Sequence, residues 1–225
     1  NASHGMNAIL RSLKFAAGEK ILYLNTAYRM VLNTLEYLQD FDHDQLVMAN
    51  VTWPGSAEQV LEAVRTQLEK YPGQIKIATF SQIISLPAVI LPVKELVDLC
   101  HEHGVMVVID GAHALGQIAL DLEALNADFW VGNGHKWLFS PKGSAVLWVR
   151  GDRQHLVEPT VISWEGESIP NTHYQMAFAY TGTASYSPYL AMGDALDFRD
   201  SVGGEERVLG YIHGLAVNAS RYMVR

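Results

Sequence analysis

The run Val105-Met106-Val107-Val108-Ile109 restricts the fold of this chain more than any other stretch. It is too short to cross a membrane and too β-branched for a comfortable helix, so it reads as a strand buried on both faces. Such a strand needs helices above and below it. The expected fold is therefore α/β, a three-layer sandwich around a mostly parallel sheet. The run ends on a charge, Asp110, followed by Gly111. Open α/β sheets bind ligands beyond the carboxyl ends of their strands, and this carboxylate falls there. A second segment, Asp128-Phe129-Trp130-Val131, leads into Gly132-Asn133-Gly134-His135-Lys136. That pattern brings a lysine amine out on a glycine-flexed turn at the end of another strand.

The remaining elements follow the same alternation. Asn1 to Asn7 reads as a polar, glycine-containing turn feeding a helix that carries Ile9, Leu10 and Leu13 on one face. Strands are expected at 20–24, 46–51, 75–80 and 144–149, with helices at 31–38, 56–71, 93–103, 188–198 and about 205–222. Ser56 and Gln59 form a capping-box pattern at the start of the third helix, and Pro72-Gly73 ends it. The helix at 188–198 is expected to pack on Leu190, Ala191 and Leu196. Cys100 reads as a small apolar residue on a helix face, not a nucleophile. His101 and His103 are two residues apart on a helix and point apart, so they read as solvated side chains without a metal.

A lysine and an aspartate on neighbouring strand ends suit Schiff-base chemistry on pyridoxal phosphate, PLP. The lysine forms the imine, and the aspartate keeps the pyridine nitrogen protonated so that the ring accepts carbanion electrons. The motifs DGAHALG, NGHKWL and PKG resemble the class V aminotransferase family, and most closely its isopenicillin N epimerase-like and cysteine desulfurase or desulfhydrase-like branch. The resemblance is strongest over residues 92–150.

It implies a role for each matching position. Lys136 is the Schiff-base lysine and Asp110 the partner of the pyridinium nitrogen. His113 lies over the ring near its phenolic oxygen or the substrate, placed for proton transfer. Asn133 and His135 hold the phosphate, Asn133 standing where many cysteine desulfurases have serine. Ser3 and His4 replace a Thr-Thr phosphate pair at the start of the first helix, where backbone amides serve as well. Tyr28 matches a ring stacked on the cofactor, and Gln82 matches an amide or imidazole that hydrogen-bonds the phenolic oxygen. Trp137 reads as packing. Thr183, in Tyr180-Thr181-Gly182-Thr183, matches a residue that touches the other subunit's cofactor phosphate, which implies a homodimer with shared active sites. The resemblance further implies that residues 1–225 are the PLP-binding large domain, a fragment lacking an N-terminal segment and a C-terminal small domain. The substrate class is an amino acid, with carbon–sulfur lyase chemistry favoured over epimerisation or transamination, and over a non-catalytic paralogue that has kept the fold.

Composition narrows the partners. A net charge of −8 argues against nucleic acid or an anionic membrane surface. One cysteine fits a reducing compartment, so the expected location is cytoplasmic.

Overall fold

The computed structural model describes residues 1–39, 45–162, 174–180 and 182–223. A six-stranded sheet has the order β2-β1-β3-β4-β5-β6, with β1 Lys20–Leu24, β2 Leu46–Ala49, β3 Ile75–Ser81, β4 Met106–Asp110, β5 Phe129–Asn133 and β6 Ala145–Val149. All neighbours pair parallel except β5 with β6. The expected three-layer α/β architecture is thus the observed one. The helices are α1 Ala2–Ser12, α2 Arg29–Leu38, α3 Ala57–Lys70, α4 Val93–Glu102, α5 Leu122–Leu125, α6 Tyr174–Ala179, α7 Ser187–Ser201 and α8 Gly204–Met223. A 3₁₀ turn spans Gly151–Leu156.

Burial explains the unbroken apolar strand. Val107 and Ile109 of β4 face a core filled by Val64 of α3 and Leu96, Val97 and Cys100 of α4, while Val108 faces a second core with Ile9 and Leu10 of α1 and Leu35 of α2. Each fully buried aliphatic side chain stabilises by about 1.5–3 kcal/mol relative to exposure. The capping box of α3 forms as expected, the Ser56 hydroxyl accepting from Gln59 N–H and the Gln59 amide oxygen accepting from Ser56 N–H.

Three local expectations are corrected. The first helix begins at Ala2, not after Asn7, because Asn1 caps it and Gly5 serves packing rather than a turn. A Cβ on Gly5 would stand 2.7 Å from a Val131 methyl, so the missing side chain lets α1 lie directly on β5. Helix α7 buries Ala195 and Arg199 while Leu190 and Leu196 are exposed. A hydrogen-bonded arginine there outweighs the apolar pattern. His101 is not merely solvated: its Nε2 lies 2.9 Å from Asp128, a fully buried carboxylate. Asp128 also accepts from Val107 N–H at 2.7 Å and from Arg150 and Arg153, each at 2.8 Å. These donors compensate a charge that would otherwise be too costly to bury.

Candidate active site

The carboxyl ends of β3, β4 and β5 open onto a cavity of about 550 Å³. Register places Ser81 beside Asp110, and both line it. The buried Asp110 carboxylate accepts one hydrogen bond from Ala112 N–H at 3.0 Å. Burial raises its pKa, against the opposing effects of that bond and of Lys136. A buried carboxylate so thinly compensated favours a cationic N–H partner.

Lys136 stands in the turn that follows β5. Its Nζ lies 3.0 Å from Nε2 of His113, whose Nδ1 accepts from the Trp137 indole N–H at 3.3 Å. Burial lowers the Lys136 pKa, and the Asp110 charge opposes the shift. Burial also lowers the His113 pKa, assisted by Lys136. The turn bearing His113 and the turn bearing Lys136 touch at Gly116, which has φ +80°. A Cβ there would sit 2.7 Å from backbone atoms of Trp137 and Leu138, so only glycine lets the loops close.

The same cavity collects groups suited to an anion. Ser3 and His4, in the first turn of α1, line the cavity with His135 and Lys142. Helix N-termini favour anions through exposed N–H groups and the helix dipole. The His135 Nδ1 donates to the Ser144 carbonyl at 2.8 Å, which leaves Nε2 as its other polar atom. Asn133 also lines the cavity, although its amide oxygen accepts from Ala2 N–H at 2.8 Å and so fixes the start of α1 against β5. Tyr28, half exposed, lines the mouth.

Two of the expected residues lie outside this lining. Gln82 is buried behind it, its amide oxygen accepting from the Trp130 indole N–H at 2.8 Å. Thr183 is exposed, with its hydroxyl 3.4 Å from the Tyr180 hydroxyl, and Thr181 of the same turn lies outside the described residues. Lys142, Ser81 and Ser85 line the cavity without having been singled out from sequence; the PKG turn that carries Lys142 was the available signal. Arg199 was missed as well. It is fully buried, donates to the carbonyls of Trp137 at 2.8 Å and Gly116 at 3.0 Å, and pairs with Glu205 through Nη2 at 2.6 Å.

An anion-binding helix start, a buried carboxylate and an amine of lowered pKa around one cavity fit the three reactive parts of PLP: phosphate, ring nitrogen and aldehyde. Cys100 takes no part. It is buried in α4 away from the cavity, and burial together with the Asp128 charge pushes its thiol up to about 12.

The chain is similar to an L-cysteine desulfhydrase-like protein of Epichloe uncinata, 28% identical over 96% of this chain and 52% of that protein. It is also 28% identical to hercynylcysteine sulfoxide lyase of Schizosaccharomyces pombe, over 98% of this chain and 57% of the relative. Among solved structures, a cystine C–S lyase in complex with cysteine persulfide superposes with a TM-score of 0.76 at 22% identity, covering 92% of this chain and 56% of that one. Another structure of that lyase holds glycine covalently linked to its PLP cofactor, with a TM-score of 0.77, 22% identity and coverage of 92% of this chain and 56% of that one. The chain spans about half the length of these relatives. The solved structures match the fold. Residues 1–223 match the family model for aminotransferase class-V, and the motifs around Asp110 and Lys136 fall within it; the chain belongs to that family.

Proposed function

We propose that this chain is the PLP-binding large domain, residues 1–225, of an enzyme that acts at the α carbon of an amino acid, with carbon–sulfur lyase chemistry of the cysteine desulfhydrase kind. The observation that carries this reading is the convergence of Asp110, Lys136 and the start of α1 on one cavity. The names of the relatives and the glycine-linked cofactor of the structural neighbour support it.

In this reading the start of α1, with Ser3, His4, His135 and Lys142, holds the cofactor phosphate. Asp110 would hold a proton on the pyridine nitrogen, and Tyr28 would offer its ring to the cofactor. PLP, when bound, supplies an electron sink for the bond broken at Cα. Lys136 Nζ would carry the cofactor and, as an amine whose pKa burial lowers, would serve as the base for the Cα proton. His113 holds Lys136 Nζ in place by the 3.0 Å contact. The chemistry so supported would break the β-carbon–sulfur bond, its electron pair leaving on sulfur as a thiol or persulfide.

The same reading makes the protein a homodimer in which Thr183 reaches the partner's phosphate and Gln82 backs the site through Trp130. Large apolar side chains exposed on α7 and α8, including Leu190, Tyr211, Leu215 and Tyr222, support a covered surface. No described helix is long and apolar enough to cross a membrane. The single, buried cysteine supports a reducing compartment such as the cytoplasm.

The test is borohydride trapping of PLP on the full-length protein, with the modified peptide identified by mass, followed by assay of sulfide and pyruvate from L-cysteine and cystine. Trapping at Lys136 with sulfide release is expected, and Lys136→Ala abolishes both. Trapping without sulfide release but with racemised substrate would make it an epimerase. No trapping would remove the enzyme reading.

A further inference from the structure

The Trp137 indole sits between a catalytic loop and its neighbour, and its hydrogen bond has a consequence for proton placement. Indole nitrogen carries a hydrogen and no available lone pair, so it donates only. Nδ1 of His113, 3.3 Å away, therefore accepts. A neutral imidazole has one N–H and one lone pair, which puts the remaining proton of His113 on Nε2. That Nε2 lies 3.0 Å from Lys136 Nζ. Two N–H groups cannot bond to each other, so the lysine meets the imidazole N–H with a lone pair, as a neutral amine.

We propose that Trp137 is a positioning residue: by donating its indole N–H to Nδ1 it locks His113 as the Nε2–H tautomer and thereby presents Lys136 as the lone-pair-bearing amine that attacks a carbonyl or imine carbon. Protonation of His113 would set a second N–H against the indole, so the imidazolium is disfavoured by geometry. Burial acts in the same direction on both His113 and Lys136. The other charged group acting on Lys136 is Asp110, which pulls toward the ammonium form. The tryptophan is itself held from behind, its carbonyl accepting from the buried Arg199 at 2.8 Å. The purpose assigned to the amine rests on the function proposed above; the tautomer does not.

The experiment is a long-range ¹H–¹⁵N spectrum of the full-length, cofactor-free protein labelled with ¹⁵N-histidine, with His113→Gln to assign the ring. A single Nε2–H tautomer with an unprotonated Nδ1 is expected across neutral pH. In Trp137→Phe the signal should shift to a mixture of tautomers, the His113 pKa should rise, and trinitrobenzenesulfonate should modify Lys136 more slowly at neutral pH. If that variant does not fold, β-(3-benzothienyl)alanine incorporated at position 137 keeps the ring shape and replaces the N–H by sulfur. A protonated Nδ1 in the wild type, or an unchanged tautomer in the benzothienyl protein, overturns the proposal. Failure of PLP to attach to Lys136 would sink the proposed function and leave this measurement intact.

Discussion

Arg199→Met should destabilise the protein far more than Glu205→Gln, although the two residues form one ion pair. Methionine keeps most of the apolar stem and removes the guanidinium. The arginine side chain is 1% exposed and the glutamate 49%, and this asymmetry decides the outcome. Without the guanidinium the carbonyls of Gly116 and Trp137 lose their arginine donors, at about 1–3 kcal/mol each. The contact of the cation with the Phe139 ring, 4.9 Å from its centroid, is lost too. The two carbonyls and the ring contact together put the expected total at about 3–5 kcal/mol. Glu205→Gln leaves both carbonyl bonds in place and should cost at most about 1 kcal/mol. By thermal unfolding, at about 2–4 °C per kcal/mol for a domain of this size, Arg199→Met should melt roughly 6–20 °C below the wild type. A melting temperature within about 3 °C of the wild type would mean that water replaces the guanidinium, and the argument for a clamp between the two loops would fail.

Three further outcomes are expected. The Glu205 carboxyl is held below its ordinary range, mainly by its hydrogen bond to Arg199, so its contribution is complete above that range and lost as the pH falls below it; stability against pH in Glu205→Gln should lack this acid-side slope. Gly111→Ala would place a Cβ 2.3 Å from the Trp130 indole beside Asp110, and overpacking of that kind costs about 1–3 kcal/mol or more; weaker PLP retention at unchanged stability would contradict the packing explanation. Cys100→Ala should keep full activity, and the native thiol should resist iodoacetamide at pH 8, since burial pushes it up to about 12; rapid alkylation without unfolding would contradict its placement.

The sheet was legible because its signals are local. Val105 to Ile109 announces a doubly buried strand, and Asp110 and Lys136 each follow an apolar segment directly, so their positions at strand ends come from neighbours in sequence. The contacts that tune the site are different in kind. Trp137 reaches His113, and Arg199 reaches Trp137 and Gly116, only after two loops and α7 have packed, so no period or spacing marks them. Gly5 illustrates the same limit: its sequence context suggests a turn, yet its small size answers to Val131, far along the chain. Likewise Leu190 and Leu196 give α7 an apolar appearance, while the face it buries is chosen by the hydrogen bonds available to Arg199. Asp128 opens an apolar segment with nothing beside it in sequence to mark a buried charge, because its partners Arg150 and Arg153 come from the far end of β6.

The reversal of direction at β6 bears on how such a site can diversify. A parallel strand would have required a long crossover after Lys136, tying the lysine to a whole helical layer. Instead the Asn133–Ala145 pair closes a short hairpin loop, tightened by Gly134 N–H donating to the Ser144 carbonyl at 3.1 Å. The lysine thus sits on a loop whose two ends are fixed by the ladder and whose middle is held by Arg199 and the His113 turn. Substitutions in this loop that spare Phe139, which touches Arg199, and Lys142, which lines the cavity, can reshape the site for a new substrate while the strand register that aims the amine stays unchanged.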